Sequence, residues 1–208
     1  AEGDIISLDL GVTLKGWVGD MARTYAVGKI SEENQKLMEV TRQCFEAGFA
    51  AMVPGNRLGD ISYAVQALAE SHGYGVVRDL CGHGVGQKMH EDPELPNFGR
   101  AGHGVRLQDG MILALEPMIN MGTWKVRFLP DGWNVVTADG KASAHYENTV
   151  AITDEPVDLV FNFKKEDGAK KVRYTVGETV LTSGGVEWIE FVSASASAKV
   201  STVTYDGK

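Results

Sequence analysis

Cysteine is nearly absent from this sequence. Cys44 and Cys81 are the two in 208 residues, too few for a disulfide framework. Such sparse thiols fit a reducing compartment. Basic residues are outnumbered too, and the formal net charge of −8 excludes a general nucleic-acid binder and a binder of anionic membranes. No apolar run approaches the roughly 20 residues a membrane-spanning helix needs. The N-terminus lacks the basic-then-apolar form of a signal peptide. Together these absences predict a cytoplasmic protein. The chain opens without Met at Ala-Glu-Gly-Asp and closes at Tyr205-Asp206-Gly207-Lys208, a hairpin turn awaiting its second strand, so both ends read as cuts.

What is present suits a globular chain of one domain and a small module. Hydrophobic residues make up 43% and charged residues 23%, enough to bury a core. The acidity is uneven. Residues 158–208 hold seven Lys/Arg and seven Asp/Glu, so residues 1–157 carry the whole −8. A carboxylate excess confined to one region is compatible with cation binding there, and equally with plain solubility.

The most unusual stretch is Cys81–Asn97. Gly82, Gly84 and Gly86 flank His83, and His90 follows before Glu91-Asp92-Pro93, which is expected to end any regular element. Imidazoles on a glycine-punctuated, acid-flanked loop suggest a site; two solvated loop histidines are the plainer reading.

Periodicity organises the remainder. Asp4–Val12 reads as a mostly buried strand, Trp17–Val27 as its hairpin partner. Ser31 caps a helix running to about Met52, with Leu37, Val40, Cys44, Phe45, Phe49 and Met52 on its apolar face. Pro54-Gly55 breaks it. A second helix runs from Leu58 or Asp60 to His72, whose imidazole suits the helix C-terminus. Val76–Leu80 is a short strand, and a long loop carrying His83, His90 and a solvated His103 extends to Asp109-Gly110. Met111–Asn120, Trp124–Leu129, Trp133–Thr137 and Ala144–Thr153 read as strands. Past Glu155-Pro156 the texture changes to Val, Thr and Ser, with short strands at about 158–163, 170–175, 178–182, 186–192 and 198–205. The expected division is 1–156 and a β-rich module at 157–208.

Three acids interrupt apolar strands: Asp9, Glu116 and Glu147. Asp20 lies in the partner of the first strand. Each alone reads as a hydrogen-bonded or edge carboxylate. With His83 they form a ligand set for two divalent ions roughly 3.5–4 Å apart, an arrangement that activates water for hydrolysis. Spacing alone does not bring the five together.

The motifs are long enough to compare with a family. They are Asp-Ile-Ile-Ser-Leu-Asp-Leu-Gly-Val at 4–12, Gly-Asp-Met-Ala-Arg-Thr at 19–24, Cys-Gly-His-Gly-Val-Gly at 81–86 and His-Glu-Asp-Pro-Glu-Leu-Pro-Asn-Phe-Gly at 90–99. Leu-Glu-Pro-Met at 115–118, Asp-Gly-Trp at 131–133 and Ser-Ala-His-Tyr-Glu-Asn-Thr at 143–149 complete them. In this wording and order, residues 2–155 resemble the type I, bacterial-like methionine aminopeptidases. The resemblance implies an α+β pita-bread half-domain, a curved antiparallel sheet with two helices, followed here by a small all-β segment matching nothing in the family. It implies Asp9, Asp20, His83, Glu116 and Glu147 as ligands of two divalent ions (Co, Mn, Fe or Zn), with Asp20 and Glu147 bridging. Glu116 would also act as acid/base, and His90 would stabilise the tetrahedral intermediate at the scissile carbonyl. Met89 and Trp133 match the methionine side-chain pocket; Arg23 and Asn148 match supporting positions.

The implied activity is release of N-terminal methionine from peptides or nascent chains with a small second residue. A proline-specific peptidase of the same fold is the enzymatic alternative, and a non-catalytic pita-bread binding module the other. The family's N-terminal half, with a substrate-contacting histidine, has no counterpart in this sequence. That leaves half a core uncovered and implies a homo-oligomer or a complementing chain. No membrane or nucleic-acid partner is expected.

Overall fold

The computed structural model describes residues 1–153 and, beyond them, only the backbone of three short strands. By internal contacts the chain divides into Ala1–Asp154 and Glu155–Lys208. The first unit opens with a hairpin, β1 (Ile5–Leu14) and β2 (Trp17–Ala26), then two helices, α1 (Glu32–Ala50) and α2 (Leu58–Ser71). Next come β3 (Gly75–Val76), β4 (Gly82–Gly84), β5 (Glu91–Leu95), β6 (Ile112–Leu115) and β7 (Met118–Asn120). A separate ribbon, β8 (Val126–Phe128) and β9 (Val135–Thr137), precedes β10 (Ser143–Ala151). In the second unit β11 (Lys164–Lys165), β12 (Lys171–Val176) and β13 (Thr179–Gly184) form a three-stranded sheet. The strands expected at 158–163, 186–192 and 198–205 lie outside the described residues.

The main sheet is antiparallel throughout, in the order β1-β2-β10-β6-β4-β5, with β7 joining β10 to β3. Its two faces follow from the period of two along each strand. On β10, Ala144 and Tyr146 turn to the helices, where the Tyr146 ring lies 5.0 Å from that of Phe45. Ser143, His145, Glu147 and Thr149 turn to the opposite face. α1 packs on α2 and on β10, with Leu37, Phe45, Ile61, Val65, Leu113 and Ile119 fully buried between. Ser31 caps α1 as expected, its hydroxyl accepting the Asn34 N–H at 3.2 Å. Cys44 is core.

Four expectations are corrected. β1 is not mostly buried: nine of its ten residues are exposed, because it is an edge strand paired only with β2. Met111–Asn120 is two strands rather than one, since Glu116-Pro117 breaks the ladder where proline has no N–H to give. The expected strand at 76–80 shrinks to β3.

The fourth correction concerns the histidine segment. His83 sits in the middle of strand β4, between β5 and β6, and Glu91-Asp92-Pro93 lies inside β5 instead of ending an element. The glycines serve close approach, not looping. A Cβ on Gly82 would stand 2.3 Å from the Ala114 carbonyl oxygen, and one on Gly84 2.3 Å from that of Asp92. Pro93 is tolerated because β5 is the far edge of the sheet, at a register shift. Gly82→Ala should therefore pry β4 from β6 and lower unfolding stability by about 1–3 kcal/mol, the usual cost of overpacking. Urea denaturation checks this; an unchanged midpoint would remove the close-approach account.

Candidate metal centre

Strand register assembles the site. Across the sheet, Gly11 pairs with Asp20, Ala114 with Thr149, and His83 with Ala114. The Asp20 N–H donates to Thr149 Oγ1 at 2.7 Å, and that hydroxyl donates back to the Asp20 carbonyl at 3.0 Å, continuing the row from β10 to β2. The next row pairs Asp9 with Ala22 and Ala22 with Glu147. Glu116 follows Leu115 at the end of β6, beside Glu147. Two adjacent rows thus carry four carboxylates and an imidazole, with Gly11, Ala22 and Ala114 between them occupying little space.

The distances bear this out. His83 Nε2 lies 3.7 Å from Asp20 Oδ2 and 3.5 Å from Glu116 Oε1. His83 Nδ1 stands 2.8 Å from the Gly84 carbonyl oxygen, which can only accept. Nδ1 therefore carries a proton and donates it to that oxygen, and Nε2 faces the carboxylates. One oxygen or nitrogen each from Asp20, His83 and Glu147 lie within 4.8 Å of one another, and so do those of Asp9, His145 and Glu147. Glu147 is common to both groups. Asn97 Nδ2 donates to the Glu116 carbonyl at 2.9 Å and holds the backbone where β6 ends.

His145 is the residue the sequence reasoning missed. Its Nε2 lies 3.7 Å from Glu116 Oε2 and 3.8 Å from Glu147 Oε2. The signal was present: residues 145 and 147 are two apart in a strand and share a face.

The other expected site residues are less central. Asp9 is exposed on β1. His90 is exposed, with its ring edge-on to His83 at 4.4 Å between centroids. Both histidines line an open cleft of about 520 Å³ with Cys81, Lys88, Glu91, Asp92 and Glu94. Met89 packs on Gly11, where its Sδ would stand 3.2 Å from an added Cβ. Trp133 is not brought to the cluster: it lies in the turn of the β8–β9 ribbon, 87% exposed, and among the described residues shares none of the contacts above. Arg23 is structural. It donates to the Ala22 and Glu147 carbonyls and to Asn148 Oδ1, and lies 3.8 Å over the Tyr146 ring on the helix side. His103 is exposed, as expected, and His72 caps α2.

Crowding shifts the ionisation. Burial first, then the charges of Asp9 and Asp20, pushes Glu116 up to about 8. Burial, with Glu116, Asp20 and Asp9 behind it, pushes Glu147 up to about 9. Asp20 is raised chiefly by burial and then by Asp9. Burial lowers His145 to about 4, so its imidazole is neutral at physiological pH. Glu147 Oε1 and His145 Nε2 are buried with no hydrogen-bond partner. Acids that cannot ionise together, and orphaned donor atoms around them, fit a divalent cation.

The comparisons agree with this chemistry. The model of metallopeptidase family M24 matches residues 1–154, and the chain belongs to that family. Among curated relatives it is 55% identical over 159 residues to a methionine aminopeptidase of Clostridium acetobutylicum, covering 76% of this chain and 64% of that protein. It is 58% identical over 151 residues to one from Clostridium perfringens, covering 73% and 61%. The crystal structure of methionine aminopeptidase from Thermotoga maritima superposes with a TM-score of 0.72 at 48% identity, covering 74% of this chain and 62% of that one. The chain thus spans less than two thirds of the length of these relatives. The fold is the α+β pita-bread arrangement that they share.

The ionisation sets a stability profile for the cation-free chain. Folded Glu116 and Glu147 keep protons to about 8 and about 9, whereas unfolded they release them near 4.5. Folding takes up protons in that window, so stability falls as pH rises through it. His145 has the opposite sign, adding stability as pH rises from about 4 to its ordinary 6.5. Between pH 6.5 and 9 the two acids dominate. The chelated chain should lose thermal midpoint steadily there, and added Mn or Co should stabilise it more at the alkaline end while releasing protons. A flat or rising midpoint in chelator would contradict these ionisations.

Proposed function

We propose that this chain carries the hydrolytic centre of a methionine aminopeptidase, releasing N-terminal methionine from peptides or nascent chains whose second residue is small. The observation that carries the reading is the buried convergence of Asp20, His83, Glu116 and Glu147, with Glu116 and Glu147 held protonated until cations replace the protons. Asp9 would hold one divalent ion and His83 with Glu116 a second, Asp20 and Glu147 being shared. Mixed carboxylate and imidazole donors suit Mn, Fe, Co or Zn. Ions bound there supply Lewis-acid activation of water and of the amide carbonyl.

The chain's own groups do the rest. Glu116 takes the proton of the attacking water and returns it to the leaving amine. His90, at the mouth of the cleft, donates a hydrogen bond to the carbonyl oxygen as charge develops on it. Met89, packed on Gly11 of β1, belongs to the methionine side-chain pocket. Residues 1–156 form the catalytic region and 157–208 a separate β-rich module. The two free cysteines, and the absence among the described residues of a helix long and apolar enough to cross a membrane, are compatible with a cytoplasmic location.

The reading includes a partner. Ile6, Leu8, Leu10, Val12 and Leu14 form one face of β1 and are 47–62% exposed. An apolar row of that length needs a cover, either a second copy or a complementing chain. Sedimentation should find self-association that Leu10→Lys weakens, or a stoichiometric companion. A monomer at every concentration and without a companion would rule the cover out.

Activity is tested by methionine release from Met-Ala-Ser by the full chain with Co or Mn, beside a chelated control. Glu116→Gln should lower turnover about 10²–10⁴-fold, the range for a general acid–base group. Turnover of Ala-Pro in place of Met-Ala-Ser would assign a proline-specific peptidase. Stoichiometric metal binding with turnover of neither would assign a binding module.

A further inference from the structure

The assigned ligands leave one imidazole without a task. His145 projects from β10 on the same face as Glu147, two residues away. Its Nε2 is buried and makes no hydrogen bond, because the nearest carboxylate oxygens, Glu116 Oε2 at 3.7 Å and Glu147 Oε2 at 3.8 Å, lie beyond reach. Glu147 is 2% exposed, and its Oε1 is equally without a partner. Two orphaned atoms on neighbouring side chains, with the Asp9 carboxylate beside them, enclose a space within which one donor atom from each residue lies within 4.8 Å of the others.

We propose that His145 Nε2 is a direct ligand of the divalent ion on the Asp9 side. Asp9, His145 and Glu147 then form one cage, and Asp20, His83 and Glu147, with Glu116 beside His83, the cage next to it. Each holds one imidazole and shares the Glu147 carboxylate. The inference deepens the two-ion reading above and rests on it. Its consequence is selectivity. A centre with an imidazole on each side favours Co, Zn or Fe over the oxygen-seeking Mg, more than an all-carboxylate first cage would.

The test titrates Co(II) into the full chain, wild type and His145→Gln, by calorimetry. Pulsed electron paramagnetic resonance of chains loaded with Cu(II) counts coordinated imidazoles. Neither readout needs catalysis. Wild type should bind two Co(II) and show two imidazole-ligated ions. His145→Gln, which keeps the size and polarity, should weaken one Co(II) site by about tenfold or more, leave the other unchanged, and show one imidazole. Near-UV circular dichroism identifies a variant that has lost its fold, and the wild-type imidazole count then decides alone. Two Co(II) sites unchanged in the variant, or a single coordinated imidazole in doubly loaded wild type, overturns the role of His145 while leaving the two-ion centre standing. A wild-type chain that binds fewer than two ions overturns the centre, and this inference with it.

Discussion

The constraint on which the structure turns is electrostatic. Asp9, Asp20, Glu116 and Glu147 occupy two adjacent rows on one face of an antiparallel sheet, and the sheet cannot be formed in this register without bringing them together. Like charges this close, partly withdrawn from water, are costly, and Glu116 and Glu147 answer by holding protons. The surrounding residues manage that cost without removing it. Gly11, Ala22 and Ala114 add no bulk between the acids. Arg23, the nearest guanidinium in sequence, is turned through the sheet to the helix face, where it ties β2 to β10 through backbone carbonyls and lies on Tyr146. A cation is left as the remedy, because the sheet spends its one local Arg on its other face.

The helix face supplies the rigidity this arrangement needs. β10 is the hinge of both functions: alternate residues send Ala144 and Tyr146 into the helix layer and His145 and Glu147 into the centre. Close packing of Phe45 against Tyr146 therefore fixes the height of Glu147 on the other side. The same economy operates at His83. Its flanking glycines let β4 lie flush between β5 and β6, and the Gly84 carbonyl accepts from Nδ1, so strand geometry alone aims Nε2 at the carboxylates.

Much of this was legible in the chain, and the misreadings have physical causes. The helices, the Ser31 cap and the acid-bearing strands follow from periodicity, and the acids stood out because charge is rare inside apolar runs. The histidine segment reads as a loop because glycine has two uses that sequence does not separate: it permits unusual backbone angles, and it permits close approach. Only the position of the Ala114 and Asp92 carbonyls shows which applies here. Strand alternation puts His145 on the face of Glu147, but alternation alone does not show which residues of that face meet a neighbouring strand's acids. Met111–Asn120 reads as one apolar run, and the missing N–H of Pro117 divides it into two strands. The exposure of β1 was not readable at all, since apolar alternation says which face wants burial and not whether the chain provides it.

That exposure bears on the centre itself. α1 and α2 make their main contacts with β10, β7, β6 and β3, so the helix layer stops short of β1. Leu8 and Leu10 face the uncovered side, while Asp9 between them faces the centre. β1 is held to the sheet by β2 alone. Anything that covers the apolar row must therefore also stiffen the strand that carries Asp9, because the two faces belong to one backbone. Order at Asp9 in turn governs the Asp9–His145–Glu147 side more than the Asp20–His83–Glu147 side, whose members are all buried in interior strands. The two halves of the centre thus differ in how much of their preorganisation the chain provides by itself. The His83 side is built by packing within the sheet, whereas the strand that carries Asp9 has only β2 beside it.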